Sequence, residues 1–302
     1  MSSQQSHPAP AAAGAGLDPA GAVLAGLRGL RLVDLTLTIA EDLPAAWATH
    51  MPFQAKAWNW FRDEEAGPSR LLSGCGPYFT RWLLLDEHIG THFDAPSHFI
   101  PPASVPPAGP GPDAAIPAGA QATSAEQIGL GQLAGRAAVI RVPWAEYPAA
   151  PGTSGVIGPG PVEAWERRHR RLGPGDVVLF ASGWDEHYTA ATRDRYCQDV
   201  IVTGRSPGWP APSVEVMDVL VERGIRCAGT DAPSMGPAEN GQAVHVAGLG
   251  RGLVFVEGLT GLDRVPDDGA LFAFFPIKVL GGSGAPGRAI ALVPKDQITS
   301  GP

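Results

Sequence analysis

The apolar positions of this chain fall into short runs that carry the alternation, or the unbroken apolar character, of strands. "LRLVDLTLTI" (Leu30 to Ile39) is partly alternating and β-branched, and predicts a first strand. "YFTRWLLLDE" (Tyr78 to Glu87) predicts a second. "RAAVIRV" (Arg136 to Val142) and "GDVVLFASG" (Gly175 to Gly183) read as buried strands, the latter ending at a turn. "IRCAGTDAPS" (Ile225 to Ser234) runs from strand into loop, and "LVFVEGL" (Leu253 to Leu259), "ALFAFFPIKV" (Ala270 to Val279) and "RAIALV" (Arg288 to Val293) are further strands. Two stretches have helical character. "GPVEAWERRHRRL" (Gly160 to Leu172) places Pro161 in a first turn, where proline is tolerated, and "APSVEVMDVLVERG" (Ala211 to Gly224) is amphipathic, with Ser213 to cap it and Gly224 to end it. Strands outnumber helices and no internal repeat is present. The pattern predicts an α/β domain whose mixed sheet forms a barrel-like core with flanking helices.

Two segments break the pattern. Residues 1–20 are rich in Ala, Gly, Pro and Ser and are expected to be a disordered tail ahead of a single domain spanning 21–302. Residues 101–120 are too proline-dense for a regular element, because each proline removes an amide donor and fixes φ.

Composition narrows the function classes. A formal net charge of -8 lacks the basic face of a nucleic-acid binder. No run of 18 apolar residues appears, so no membrane span is expected. The start, MSSQQSHPAPAAAGAG, has neither a basic nor an apolar signal region, and Cys75, Cys197 and Cys227 are scattered, as free thiols in a reducing compartment would be. The expected location is the cytoplasm.

The candidate chemistry concentrates in "DEHIGTHFDAPSHF" (Asp86 to Phe99), which holds three of the eight histidines. His88, His92, Asp94 and His98 have the spacing H-x3-H-x-D-x3-H. A helix is disfavoured by Gly90 and Pro96, whereas on an extended backbone His92, Asp94 and His98 share one parity. Imidazole nitrogen and carboxylate oxygen are ligands for Zn or Mn, and open positions on such an ion hold water whose pKa the metal lowers. A further histidine moves the proton. A lone histidine is ordinarily a satisfied surface or core residue, but four potential ligands within His88–His98 point to metal binding or catalysis.

Other features are weaker. "AEDLPAAWATHMPFQAKAWNWF" (Ala40 to Phe61) offers Trp47, Trp58 and Trp60 as walls of an aromatic substrate pocket, with ordinary packing or a dimer contact as the alternative. His50 beside it, and His187 after Trp184, are substrate-contact candidates. His169 in "RRHRR" belongs to a solvated face. "GGSGAPG" (Gly281 to Gly287) lacks the Lys-Ser/Thr of a phosphate loop and reads as a hairpin connection, "GLGRG" reads as a turn, and "FASGW" is not a serine-hydrolase elbow.

"HIGTHFDAPSH" (His88 to His98) resembles, position for position, the H-x-G-T-H-x-D-x-P-x-H signature of the cyclase family, which includes bacterial kynurenine formamidase and isatin hydrolase. The resemblance extends from about Leu30 to Val293: "LFASGWDEHY" (Leu179 to Tyr188), carrying Trp184, is similar to the family's TGW segment, "GTDAPSMG" to its G-x-D-x-P-S loop, and "PGR" places Arg288 in its P-x-R position. The resemblance implies a swivelling β/β/α fold and a dimer or tetramer. It implies that His88, His92 and Asp94 hold a first Zn or Mn ion, that Asp94 bridges to a second held by His245 and Glu257, and that His98 is the general acid/base. One or two ions per chain are compatible with it. From the residues alone the His245–Glu257 pair would be taken as structural, although a glutamate in so apolar a run needs a partner if buried. The chain departs from the family in lacking the Trp-Pro-Gly-Asp type stretch after the first strand, and in the length of its proline-rich 101–120 segment.

These readings converge on a metal-dependent hydrolase in which a metal-bound hydroxide attacks an amide, lactam or lactone carbonyl of a small aromatic substrate, such as an aryl formamide or an isatin-like lactam. Arg288 or a backbone amide would assist the metal at the oxyanion. The alternatives are a metal-dependent cyclase or lyase of natural-product biosynthesis, which would use the same Lewis acid and base for enolisation, and a non-catalytic metal- or small-molecule-binding protein, against which the presence of His98 argues.

Overall fold

A computed structural model describes residues 18–62, 76–105 and 116–295. In chain order the strands are β1 (Leu30–Asp34), β2 (Gln54–Arg62), β3 (Gly76–Leu84), β4 (His92–Asp94), β5 (Ala134–Arg141), β6 (Val156–Ile157), β7 (Asp176–Ala181), β8 (Ala211–Pro212), β9 (Cys227–Thr230), β10 (Val254–Glu257), β11 (Asp268–Pro276) and β12 (Gly284–Pro294). The helices are α1 (Pro19–Arg28), α2 (Gly160–Arg168), α3 (Arg193–Tyr196), α4 (Gln198–Ile201), α5 (Val214–Glu222) and α6 (Gly241–Leu249).

Seven strands close on themselves in the order β12-β11-β5-β7-β9-β10-β4, because β4 pairs with both β10 and the first residues of β12. The eleven residues of β12 let it pair with β4 through Gly284–Pro286 and then offer the same edge to β1. The β5-β7-β9-β10 segment is parallel and the rest antiparallel. Parallel neighbours need crossovers, and α2, α5 and α6 lie in those connections, outside the barrel.

This burial on both faces explains the unbroken apolar runs in the sequence. Along β7, Val177, Leu179 and Ala181 join the barrel interior with Phe93, Val256 and Phe272. Val178 and Phe180 point the other way, into a layer with Trp165 of α2 and Met217 and Leu220 of α5. Closure leaves few free edges for unwanted pairing.

The sequence pattern and the structure differ at several boundaries. The first strand stops at Asp34: Leu35 N still donates to the Ala289 carbonyl at 3.0 Å, and the chain then turns away until Leu37 N donates to Thr91 Oγ1 at 2.8 Å. Helices α1 and α6 were not expected. The tail predicted for residues 1–20 falls mostly outside the described residues, and Pro19 and Ala20 already belong to α1, which Asp18 caps by accepting from Gly21 N at 3.0 Å. Strands β2 and β3 form a separate antiparallel hairpin between the Trp47–His50 region and the histidine cluster.

Candidate metal centre

Strand β4 is the seat of the centre. Its two-residue period sends Phe93 into the barrel core and turns His92 and Asp94 to the other face. Glu257, the last residue of β10, lies directly across from His92 in the antiparallel register. Gly90 (φ 58°) and Gly258 (φ 64°) make the turns at either side, and a Cβ on Gly258 would stand 2.5 Å from the Gly90 carbonyl. Both positions therefore need glycine. Thr91 Oγ1 donates to the Gly258 carbonyl and ties the two turns together. Helix α6 brings His245 over the strand ends, and a 3-10 turn at Pro96–His98 carries His98 back until its ring stacks on His88 at 3.9 Å.

His92, Asp94, His245 and Glu257 are all buried. The outward nitrogens of two imidazoles are committed. His92 Nδ1 donates to the Gly90 carbonyl at 3.0 Å, and His245 Nδ1 donates to the Gly241 carbonyl at 2.7 Å. Their Nε2 atoms face inward. His92 Nε2 is 3.6 Å from both Asp94 Oδ1 and Glu257 Oε2, and His245 Nε2 is 3.4 Å from Asp94 Oδ2 and 3.2 Å from Glu257 Oε1. His88 Nδ1 meets Asp94 Oδ1 at 2.8 Å. Asp94 Oδ2 is buried with no hydrogen-bond partner. Two sets of donor atoms each lie within 4.8 Å of one another, His88–His92–Asp94 and Asp94–His245–Glu257, and they share Asp94.

Two buried carboxylates side by side demand compensating positive charge. Burial opposes charge on His245, but the adjacent carboxylates of Asp94 and Glu257 outweigh that and push its pKa up to about 10. His92 is raised in the same way, against its own burial, by Glu257 and Asp94. Burial would raise Asp94, yet the imidazoles of His98, His88 and His245 hold it well below the usual carboxylate range. Divalent metal serves the same need, and the donor set of imidazole nitrogens and carboxylate oxygens fits Zn or Mn. His98 differs: burial pushes it down to about 4, so it is neutral at pH 7.

The cluster forms one end of a cavity of about 270 Å³. Its walls include Leu37, Trp47, His50, Phe99, Tyr188 and Tyr196, and among the described residues no lysine or arginine lines it. Of the sequence-predicted contacts, Trp47 and His50 are there, His50 lying 3.4 Å from Asp86. The others are elsewhere. Trp58 and Trp60 lie on the exposed hairpin, Trp58 stacked on Trp82 at 5.3 Å. Trp184 is fully buried behind the cavity, where its Nε1 donates to the Tyr196 carbonyl at 3.0 Å. His187 packs between Trp144 and Trp184. Arg288 points out of the barrel into an ion pair with Asp34, because β12 alternation buries Ala289 and Ala291 instead. The sequence reading did not select Phe99, Tyr188 or Tyr196. Their signal was slight, since each adjoins a residue already singled out: Phe99 follows His98, Tyr188 follows His187 and Tyr196 precedes Cys197.

Residues 33–237 match the Cyclase family, and the chain belongs to that family. An isatin hydrolase of Roseibium aggregatum is 30% identical over 227 residues, which is 73% of this chain and 77% of that relative. A kynurenine formamidase of Paracidovorax citrulli is 24% identical over 252 residues, 78% of this chain and 96% of that one. Among solved structures, isatin hydrolase A from Ralstonia solanacearum superposes with a TM-score of 0.71 at 25% identity, covering 93% of this chain and all of that one.

Proposed function

We propose that this chain is a metal-dependent hydrolase that opens a compact aromatic amide, with a cyclic amide of the isatin type favoured. The observation that carries this is the convergence of three inward imidazole nitrogens on two buried carboxylates at the end of a largely apolar cavity, with a neutral histidine stacked beside them. The names of the relatives point the same way. Among the described residues no lysine or arginine stands on these walls for the carboxylate of a formamide with an ionised amino-acid tail, which supports the lactam.

In this reading His88, His92 and Asp94 would hold one Zn or Mn ion, and Asp94, His245 and Glu257 would hold a second. The metal, when bound, supplies Lewis acidity toward the carbonyl and lowers the pKa of water. The chain's own residues do the rest. Trp47, Phe99 and Tyr188 hold the aromatic ring and exclude water from the reacting carbonyl. His98 takes the proton of the attacking water onto its imidazole and returns it to the leaving nitrogen. Trp184 acts behind Tyr196, and Arg288, paired with Asp34, is given no role.

The remaining features follow the same reading. Residues 21–302 act as one catalytic domain. No described helix is long and apolar enough to cross a membrane, and the buried free thiols Cys197 and Cys227 suit the cytoplasm. The hairpin supports a homodimer. Trp58, Trp60, Phe61, Tyr78, Phe79 and Trp82 are each between 39% and 65% exposed. At roughly 150–250 Å² per ring this leaves on the order of 600 Å² of aromatic surface, approaching the roughly 800 Å² each partner buries in a stable interface. Light scattering of wild type and Trp60→Glu/Trp82→Glu tests this, and an unchanged mass rejects the hairpin as interface.

The reaction is tested by metal analysis of protein purified without chelator, followed by isatin and N-formylkynurenine assays in water enriched in oxygen-18. Stoichiometric Zn or Mn, hydrolysis of isatin and label in the product support the proposal. Turnover without label points to cyclisation or elimination, and absence of metal even after adding it back overturns the metal mechanism.

A further inference from the structure

The glycine-rich stretch Gly281–Gly287, which in the sequence looks like a plain connection, packs against the metal cluster. Ser283 Oγ lies 2.9 Å from His88 Nε2, although the two residues are 195 positions apart. The same hydroxyl donates to Glu87 Oε2 at 2.8 Å, and Ser283 N donates to that oxygen at 2.9 Å. The close fit depends on Gly284: a Cβ there would stand 2.6 Å from His88 Cε1 and 2.4 Å from the Phe93 carbonyl. The turn is anchored independently of His88. Ala95 N donates to the Ser283 carbonyl at 2.9 Å, Ala125 N to the Gly282 carbonyl at 2.8 Å, and Glu126 accepts from Gly281 N at 2.9 Å.

The donor count fixes the direction of each bond. A carboxylate oxygen only accepts, so the single hydroxyl proton of Ser283 is committed to Glu87. What Ser283 offers His88 is a lone pair, and His88 Nε2 must carry the proton. With the proton on Nε2, Nδ1 is the ring nitrogen that faces Asp94 Oδ1, itself an acceptor, at 2.8 Å. Two such donor atoms side by side suit a cation beside them.

We propose that Glu87 and Ser283 are positioning residues that hold His88 as its Nε2–H tautomer, so that Nδ1 is available as a metal ligand. This rests on the metal-centre reading above. It adds a difference between the three imidazoles. His92 and His245 are oriented by backbone carbonyls, which no substitution removes. His88 alone is oriented by side chains. Outer partners of this kind are typically worth about 10–100-fold in metal affinity.

The test is Mn binding to the metal-free full chain, followed by electron paramagnetic resonance of free Mn and by competition with a chromophoric chelator, with no substrate present. Ser283→Ala should weaken binding about 10–100-fold at one site, while Ser283→Thr, which keeps the hydroxyl, should restore most of it. Glu87→Ala should weaken it too, because it removes the oxygen that accepts from both Ser283 N and Ser283 Oγ and frees the hydroxyl proton to point at His88. Circular dichroism on each variant reads folding separately. Wild-type affinity in Ser283→Ala, or equal losses in the two Ser283 variants, overturns the relay while leaving the metal centre standing. A wild-type chain that binds no Mn overturns both.

Discussion

Asp94 belongs to both donor sets and Glu257 to only one, and that difference is measurable as heat stability. An ion that binds only the folded chain, supplied at a hundredfold excess over its dissociation constant, stabilises it by about 2.7 kcal/mol. In a domain of this size that is roughly 5 °C in Tm per ion, so two ions give a shift of roughly 10 °C between chelated and metal-loaded wild type. Asp94→Asn is nearly isosteric, but it removes the shared charge facing His88 at 2.8 Å and His245 at 3.4 Å. The metal-induced shift should fall close to zero. Glu257→Gln leaves His88, His92 and Asp94 in place and should keep roughly half the shift. Differential scanning fluorimetry with EDTA, then with Zn or Mn, reads all three proteins. A full shift in Asp94→Asn would refute the bridging role, and so would loss in Glu257→Gln as complete as in Asp94→Asn.

Three further outcomes follow from the same geometry. His98→Ala should lower kcat by about 10²–10⁴ with unchanged metal content, because His98 stands outside both donor sets; metal loss on mass spectrometry would reassign it as a ligand. Metal affinity should rise with pH. In the metal-free chain His245 holds its proton up to about pH 10 and His92 is also raised, so binding displaces protons, and log affinity climbs by about one per pH unit for each proton displaced, levelling off above pH 10; a flat profile from pH 6.5 to 9 contradicts this. Trp47→Ala should raise KM roughly five- to tenfold through a lost aromatic contact, whereas Trp58→Ala on the hairpin should leave the KM of dilute protein unchanged, and steady-state kinetics on the two variants decides between them.

Strands β5, β7, β9 and β10 were legible because the barrel buries them on both faces, so their apolar runs needed no partner to be recognised, whereas β2, β6 and β8 were not singled out. Helix α6 was not. Gly241 and Gly248 lie within it and valines flank His245, a composition with low helix propensity. Packing overrides this: a Cβ at Gly248 would stand 2.3 Å from Phe255, so the glycine is what lets the helix settle on β10. The hairpin shows the reverse limit. Its aromatic content was visible, but composition does not say which surface an aromatic faces, and the alternation of β2 buries Asn59 while exposing Trp58 and Trp60. Arg288 could have been placed from alternation alone, since Ala289, Ala291 and Val293 mark the inward parity of β12.

The metal centre divides along the same line between local and distant information. His88, His92, Asp94 and His98 sit within one strand and its flanking turns, so their spacing carries the chemistry directly. Glu257 and His245 come to them only because β10 pairs with β4 in a register that sets Glu257 opposite His92, and because α6 crosses that end of the sheet. Nothing local in "VFVEG" distinguishes a ligand from a buried glutamate with some other partner; the family resemblance pointed to Glu257, and the register sets it opposite His92. Ser283 lies further still from recognition, on a turn whose glycines suggested only a change of direction. The same glycines permit the approach: with any side chain at Gly284, His88 could not stand against Ser283, and the ring that opens the signature would lose the hydroxyl that sets its tautomer.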